Sequence, residues 1–299
     1  MEINIITWNV YFGYPFGYPL LNSYRLSTQL LELEKLSPDI INLQEIFSKE
    51  LADKYINYFK EDYDYYYYYE NNINIYYLLL FIPILFYNYN LLFIYYIFLI
   101  LLYNTTIYHY LLNNNKGPLL TLWKKNKFKI IDKKNIKYNE QRGDFMNIIC
   151  PRQYQLLNLS IINSDKSFWV INTYLNNFPN ENYITPIPKS CDYRINQINE
   201  LKSKIDNLKL KNIILLGDMN FTPEMEEYNI ITNKLYDCGV NIERTCLCKN
   251  YFINTNKNKF RIDYIFLKKN DIKIIQFQSI FNRNPPLSDH LGLELTFQL

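Results

Sequence analysis

Apolar residues recur along this chain in short runs separated by amphipathic or polar stretches, and each run predicts an element. Strands are predicted at Ile3–Val10, Asp39–Gln44, Pro118–Trp123, Lys127–Ile131, Gln153–Ile162, Phe168–Tyr174, Asn212–Asp218, Arg261–Leu267, Lys273–Ser279 and Leu291–Phe297. A helix is predicted near Ser23–Leu36, where Leu26, Leu30, Leu33 and Leu36 fall at helical spacing and Pro38 ends it. Further helices are predicted near Lys49–Phe59, over Asp192–Leu208 and from Pro223 to about Leu235. A loop rich in Asn and Pro, Asn176–Ser190, precedes the third helix. Mixed order with antiparallel neighbours predicts an α+β fold.

One segment breaks this pattern. Residues 71–115 contain no Asp, Glu, Lys or Arg, and Ile75–Tyr103 is built almost wholly of Ile, Leu, Phe and Tyr, interrupted by Asn88 and Asn90. Its length suits a membrane span. Three readings stand: a membrane-attaching insertion, a buried hydrophobic extension, or AT-rich low-complexity sequence with no evolved role. The run Tyr65–Tyr69 suits an aromatic girdle at a bilayer interface, and it equally suits biased codon usage. The abundance of Asn, Tyr, Ile and Lys at the expense of Ala and Gly points to such a bias.

Chemistry concentrates in polar clusters at the ends of apolar runs. Thr7-Trp8-Asn9, Leu43-Gln44-Glu45, Gly217-Asp218-Met219-Asn220, Arg261-Ile262-Asp263-Tyr264 and Ser288-Asp289-His290 follow one another along the chain. A sheet delivers groups placed in this way to one rim. Glu45, Asp218, Asp263 and Asp289 then crowd together, and close carboxylates stay ionised only with a cation or proton among them. The donors are oxygens, with no Cys or His cluster at zinc-like spacing, so the expected ion is Mg²⁺, with Mn²⁺ as a substitute. The amides of Asn9 and Asn220 suit a phosphoryl oxygen. His290, whose ordinary pKa lies near neutrality, is the proton-transfer candidate, oriented by a carboxylate. Metal, amides and an oriented His describe phosphate-ester hydrolysis.

On these motifs the chain resembles the endonuclease/exonuclease/phosphatase superfamily, the group of DNase I, apurinic endonucleases, neutral sphingomyelinases and tyrosyl-DNA phosphodiesterases. The resemblance runs from Ile3 to Phe297 and implies a DNase I-like four-layer sandwich, two packed mixed β-sheets flanked by helices. It implies that Glu45 binds the metal, that Asn9 and Asn220 are ligands of phosphate or metal, and that Asp218 handles a proton of the water or leaving group. Asp263 then orients His290, and Asp289 is a second metal-side carboxylate. Arg194, Gln197 and Leu201 match the Arg-x-x-Gln-x-x-x-Leu helix that precedes the Gly-Asp-x-Asn strand, a scaffold feature.

Two positions depart from the family. Many members carry Asn-Thr-His-Leu where this chain has Asn172-Thr173-Tyr174-Leu175, and the other His of the protein, His109, lies in the apolar segment. The apurinic-endonuclease branch places a Tyr there, which favours Tyr174 as a functional hydroxyl that contacts phosphate. That branch also has an aspartate where Tyr11 stands, so one metal ligand is missing. Each site residue has a plain structural reading as well. Glu45 and Asp39 are strand-end carboxylates, Asp263 a partner of Arg261, and Asp218 a turn cap. The joint order favours an active site. Trp8 and Trp169 are expected in the core, and the tripeptide Arg142-Gly143-Asp144 is coincidental.

Composition changes this picture little. The residues of the site span Asn9 to His290, so residues 1–299 are expected to form one catalytic domain interrupted at about 71–115. A net charge of +3 neither demands nor excludes nucleic acid. Five Cys without paired spacing predict no disulfide framework and a reducing compartment. Met1 lies too close to the first strand for a cleavable signal, so an intracellular protein, cytoplasmic or nuclear, is expected. The reading is a Mg²⁺-dependent phosphodiester hydrolase with a nuclease-like or DNA-repair-like substrate. Its alternatives are a neutral-sphingomyelinase-like phospholipase, associated with a membrane through 75–103, and a catalytically inactive binding module. No feature calls for an obligate protein partner.

Overall fold

The computed structural model describes residues 1–10, 19–68, 117–142, 151–176, 190–207, 211–247, 260–268 and 272–299. The first half contains β1 (Glu2–Asn9), α1 (Pro19–Leu36), β2 (Ile40–Gln44), α2 (Lys49–Phe59), β3 (Tyr63–Tyr67), β4 (Leu119–Lys124) and β5 (Phe128–Lys137). The second contains β6 (Gln153–Ile161), β7 (Ser167–Tyr174), α3 (Ser190–Asn207), β8 (Ile213–Asp218), α4 (Glu226–Thr232), β9 (Tyr236–Asp237), β10 (Asp263–Leu267), β11 (Lys273–Ile280) and β12 (Gly292–Gln298).

These strands make two six-stranded sheets, ordered β11-β12-β1-β2-β4-β3 and β5-β6-β7-β8-β10-β9. Each sheet has one parallel pair, β1 with β2 and β7 with β8, and a helix lies between the two strands of each pair in the sequence. Parallel neighbours require such a crossover, whereas antiparallel ones close with short turns. The expected mixed, four-layer sandwich is what the chain forms.

Side-chain alternation builds the layers. In β1, Ile6 and Trp8 pack with Leu26, Leu30 and Leu33 of α1 and with Tyr55 of α2, whereas Ile3 and Ile5 face the other sheet. Between the sheets those residues meet Leu157, Val170, Ile214, Leu216 and Ile265. The opposite faces of β7 and β8, Ile171 and Leu215, pack against Ile198, Leu201 and Ile205 of α3. The matched helix motif proves structural: Arg194 forms a buried 2.9 Å ion pair with Glu227 of α4, and Gln197 accepts from the backbone N of Asn176.

Several boundaries differ from the pattern-based reading. α1 begins at Pro19, ahead of Ser23, and β5 runs on to Lys137 past a bulge between Ile130 and Asp132. α4 is confined to Glu226–Thr232, inside the longer predicted helix. The tyrosine run is in part an edge strand, because Tyr65, Tyr66 and Tyr67 pair with Leu122, Thr121 and Leu120 of β4. Trp8 is buried as expected, while Trp169 is only half-buried against the α3 side. His109 and the segment 71–115, including 75–103, lie outside the described residues, as does Tyr11. Among the described residues no helix is long and apolar enough to cross a membrane.

Gly217 is a position where the fold tolerates no side chain. Its φ is +133°, and a Cβ there would stand 2.0 Å from the carbonyl oxygen of Thr173 on the adjacent parallel strand. Gly217→Ala is therefore expected to cost about 3 kcal/mol or more, through backbone strain and collision together. Urea unfolding of the variant checks this, and an unchanged midpoint would show that β7 and β8 separate without cost.

Candidate active site

The inter-sheet face of each central strand changes character along its length. Ile3 and Ile5 are followed on the same face of β1 by Thr7 and Asn9, Val170 of β7 by Asn172 and Tyr174, and Ile214 and Leu216 of β8 by Asp218. In β10, Asp263 continues the face of Ile265 and Leu267. Register then sets Tyr174, Asp218 and Asp263 side by side along the rim of one sheet. Asn9 stands opposite on the other sheet, its Nδ2 donating to Asp218 Oδ2 at 3.0 Å.

Glu45 joins this group by a departure from alternation. Gln44 points inward to Asn172 across the sheets at 2.7 Å, so a regular strand would turn Glu45 outward. Instead Glu45 has φ +63°, a left-handed conformation uncommon for Glu, and its carboxylate returns to the rim. Glu45 Oε1 accepts from Asn9 Nδ2 at 3.1 Å and from the Tyr174 hydroxyl at 2.9 Å. Both bonds end on one oxygen. Asn9 spends its two Nδ2 protons on Glu45 and Asp218, which makes Oδ1 the amide's contribution to a cation.

His290 arrives on the turn before β12, laced to the end of β1. Ser288 Oγ donates to the carbonyl of Asn9 at 2.6 Å and accepts from His290 N at 3.1 Å, while Trp8 Nε1 donates to the carbonyl of His290 at 3.0 Å. The ring Nδ1 lies 2.8 Å from Asp263 Oδ2. Asp263 thus pairs with His290, and Arg261 pairs instead with Asp237 at 2.7 Å. Asp289 lies beside the ring, its Oδ1 3.9 Å from His290 Nε2. Asp218 also caps a turn, accepting from Asn220 N at 3.0 Å, so its structural and chemical readings coexist. Asn220 has φ +53° and donates from Nδ2 to the carbonyl of Leu175 at 3.1 Å.

Burial sets the electrostatics. It pushes the Asp218 carboxyl up to about 7, with Asp263 adding to the rise and His290 and Asn9 opposing it. Burial likewise raises Glu45, assisted by Asp289 and opposed by His290, Asn9 and Tyr174. For His290 burial acts downward, yet the carboxylates of Asp263 and Asp289 more than offset it and hold the ring well above the ordinary histidine range. The Tyr174 phenol is driven well above its ordinary value, chiefly by burial.

The donor chemistry fits a divalent ion. Asp289 is close enough to raise the cost of ionising Glu45, and among the described residues no Lys or Arg is a main influence on Glu45 or Asp218. Asp263 Oδ1 is buried without a hydrogen-bond partner among the described residues. Among the described residues, Asp218, Asp263 and His290 form a grouping of ionisable donors whose ligand atoms lie within 4.8 Å of one another. That trio differs from the expected ligand set of Glu45, Asp289 and Asn9. Within it, His290 Nδ1 is already engaged by Asp263.

Two residues of the site escape motif reading. Thr245 Oγ1 accepts from the backbone N of both Ile262 and Asp263 at 3.0 Å, and its carbonyl accepts from Leu291 N at 2.7 Å, tying Asp263 to the His290 turn. Nothing local in the sequence marks it. Arg152 is buried with its guanidinium 3.9 Å from the centre of the Tyr174 ring. Its one signal in the sequence is a lone charge immediately before an apolar strand.

A family model described as the Endonuclease/Exonuclease/phosphatase family matches residues 6–290. No curated protein matches the chain. Among solved structures, the human Nocturnin catalytic domain with bound sulfate anion is 16% identical at a TM-score of 0.67, with 99% of this chain and 93% of that one covered. TDP2 of D. rerio complexed with single strand DNA product is 15% identical at a TM-score of 0.67, with 100% and 99% covered. An endonuclease/exonuclease/phosphatase from Bacteroides vulgatus is 14% identical at a TM-score of 0.69, with 100% and 99% covered. At such identities the likeness to these structures is one of fold. The match over nearly the whole chain shows that this protein belongs to the endonuclease/exonuclease/phosphatase family, whose members are generally hydrolases of phosphoric esters.

Proposed function

We propose that this protein is a Mg²⁺-dependent phosphodiester hydrolase acting on nucleic acid, with Mn²⁺ as a substitute ion. The observation that carries the reading is the position of Asp218, hydrogen-bonded to Asn9 on one side and adjacent in register to Asp263, the partner of His290, on the other. Residues 1–299 act in this reading as one catalytic domain interrupted at about 71–115, since β12 from the end of the chain pairs with β1 from its beginning.

Glu45, Asp289 and Asn9 would hold the cation, whose contribution when bound is Lewis-acid stabilisation of a phosphoryl oxygen. Asp263 fixes the His290 ring with its proton on Nδ1, and the raised pKa keeps the imidazolium available to balance negative charge developing on the phosphoryl group. Asp218, with its pKa near 7, is matched to exchange a proton with the attacking water or the leaving oxygen at neutral pH. Asn9, Asn220 and Tyr174 each already donate to a protein acceptor, so a phosphate oxygen would take over those donors in exchange. The nucleic-acid substrate is supported by the nuclease members of the family and by the fold shared with D. rerio TDP2, which is complexed with single strand DNA product.

Purified protein with Mg²⁺ is expected to cleave abasic-site or single-stranded DNA in preference to sphingomyelin and an inositol polyphosphate. Hydrolysis of sphingomyelin alone would replace the substrate class, and inertness towards all four would favour a binding module. His290→Ala is expected to lower turnover at least about a hundredfold with the fold intact, and Glu45→Gln to weaken metal binding. Near-normal activity in both variants would refute the assignment. Tyr174→Phe is expected to slow turnover about ten- to a hundredfold, as for one lost polar group at a reacting centre.

The site also makes stability depend on pH. Asp218 titrates near 7 in the folded chain against an ordinary 3.8, so its contribution is full below the unfolded value and is lost as pH rises through about 7. Glu45 shifts in the same direction. Without divalent ions the melting temperature is therefore expected to fall between pH 6 and pH 8, in steps of about one proton. Mg²⁺ should restore it more at the higher pH, because binding to the folded state alone stabilises it. Equal Mg²⁺ shifts at both values, in a thermal melt, would contradict a cation held by these carboxylates.

A further inference from the structure

Between the approach to β10 and the His290 turn lies a short piece of chain, Thr245-Cys246-Leu247, that belongs to none of the named strands. On one side, Thr245 N and Cys246 N both donate to the carbonyl of Phe260, at 2.9 and 2.8 Å. On the other, Leu247 N donates to the carbonyl of Asp289 at 2.6 Å, and the carbonyl of Thr245 accepts from Leu291 N at 2.7 Å. His290, bridged to Cys246, is thus bracketed by two main-chain bonds. Such bonds are open to almost any residue at position 245, so they do not account for a threonine there.

The side chain does. Thr245 is fully buried, and its Oγ1 accepts from Ile262 N and Asp263 N, both at 3.0 Å. In a regular strand successive N–H groups point to opposite sides. Two that converge on one atom mark a bend, and a concavity of backbone N–H groups favours an atom carrying negative charge. The hydroxyl oxygen fills it. It therefore sets where β10 begins and how Asp263 enters the strand, with the carboxylate Oδ2 2.8 Å from His290 Nδ1. One residue thus restrains both members of the pair, the carboxylate through its side chain and the imidazole through its main chain. We propose that Thr245 is a positioning residue whose hydroxyl oxygen holds Asp263 in the place from which its carboxylate engages Nδ1 of His290. Its bearing on turnover rests on the role given to His290 above, whereas its hold on the pair is independent of that reading.

The test reads the Nδ1 proton of His290 by NMR on full-length protein whose folding is confirmed by thermal melting. The chain has two His, so comparison with His109→Ala assigns the signal. An imidazole N–H in a charge-assisted bond to a buried carboxylate resonates far downfield of a solvated one. The wild-type chain is expected to show this resonance. Thr245→Val, which keeps the shape and removes the acceptor, should lose it or move it upfield, and Thr245→Ser, which keeps the oxygen, should retain it. In parallel, kcat on single-stranded DNA is expected to fall about tenfold in Thr245→Val with KM little changed, and to recover in Thr245→Ser. Loss of stability alone leaves the resonance of the folded molecules where it was. Should Thr245→Val fail to fold, Thr245→Cys takes its place, its sulfur being the weaker acceptor, and a smaller shift in the same direction is expected. An unchanged resonance in the folded variant overturns the inference and leaves the hydrolase reading standing. Loss of the resonance in Thr245→Ser does the same, since it assigns the effect to the methyl group. A lost resonance with unchanged kcat overturns the role of His290 in turnover, and with it that of Thr245. Absence of the downfield proton from the wild-type chain overturns both.

Discussion

The two sheets are joined near the site by a band of buried polar side chains, and the placement of every catalytic candidate depends on it. Gln44 donates across the gap to Asn172 at 2.7 Å and along its own sheet to Thr7 at 3.0 Å. Thr121 bridges likewise, donating to Gln155 Oε1 at 2.8 Å and lying 3.1 Å from Asn42 Oδ1. Apolar packing is indifferent to small sliding of one sheet over another, but a hydrogen bond is not, and leaving such a group unpaired costs about 1–3 kcal/mol. The band therefore fixes the relative position of the sheets at the level where Asn9 and Glu45 on one must meet Asp218 and Tyr174 on the other. Below it lies the apolar interior, and above it lies the ionisable rim.

That rim is an unstable arrangement by itself. Carboxylates removed from water and set side by side lose solvation without gaining counter-charge, which is why Asp218 and Glu45 are both displaced upward. The neutral donors around them limit the cost: Asn9 serves both carboxylates at once, and Tyr174 adds a second donor to Glu45. His290 supplies the positive charge on the Asp263 side. Among the described residues the Glu45 carboxylate is bonded to neutral donors only, and this asymmetry supports the proposed place of the cation. In the proposed reading the work of charge balance is divided between a resident imidazolium and a bound cation.

Most of this arrangement is legible in the order of the residues. Strands with a polar residue at one end announce the rim, because alternation along Ile3–Asn9, Ile213–Asp218 and Asp263–Leu267 takes one face from aliphatic residues to a polar one at the rim end. What stays hidden has specific causes. The turn of Glu45 back to the inner face depends on a left-handed residue that no side-chain pattern encodes. Thr245 and Arg152 act through contacts far away in sequence, and neither belongs to a periodic run. β3 is obscured because its tyrosines share composition with the apolar segment that follows, although Tyr63 and Tyr67 alternate towards the helical layer as an edge strand should.

The same topology bounds what the segment between β3 and β4 can do. β3 and β4 are antiparallel neighbours at the edge of their sheet, with Tyr67 opposite Leu120. The chain must leave and return at adjacent points on the catalytic rim. A single passage across a membrane would separate those two points, whereas an excursion that returns to its origin leaves the sheet intact. The entropic cost of closing such an excursion grows only slowly, by roughly 0.6 kcal/mol for each doubling of its length. An edge hairpin is therefore a place where a sheet of this kind accommodates added sequence without disturbing β1, β2, β7 and β8, whose strand ends carry the site.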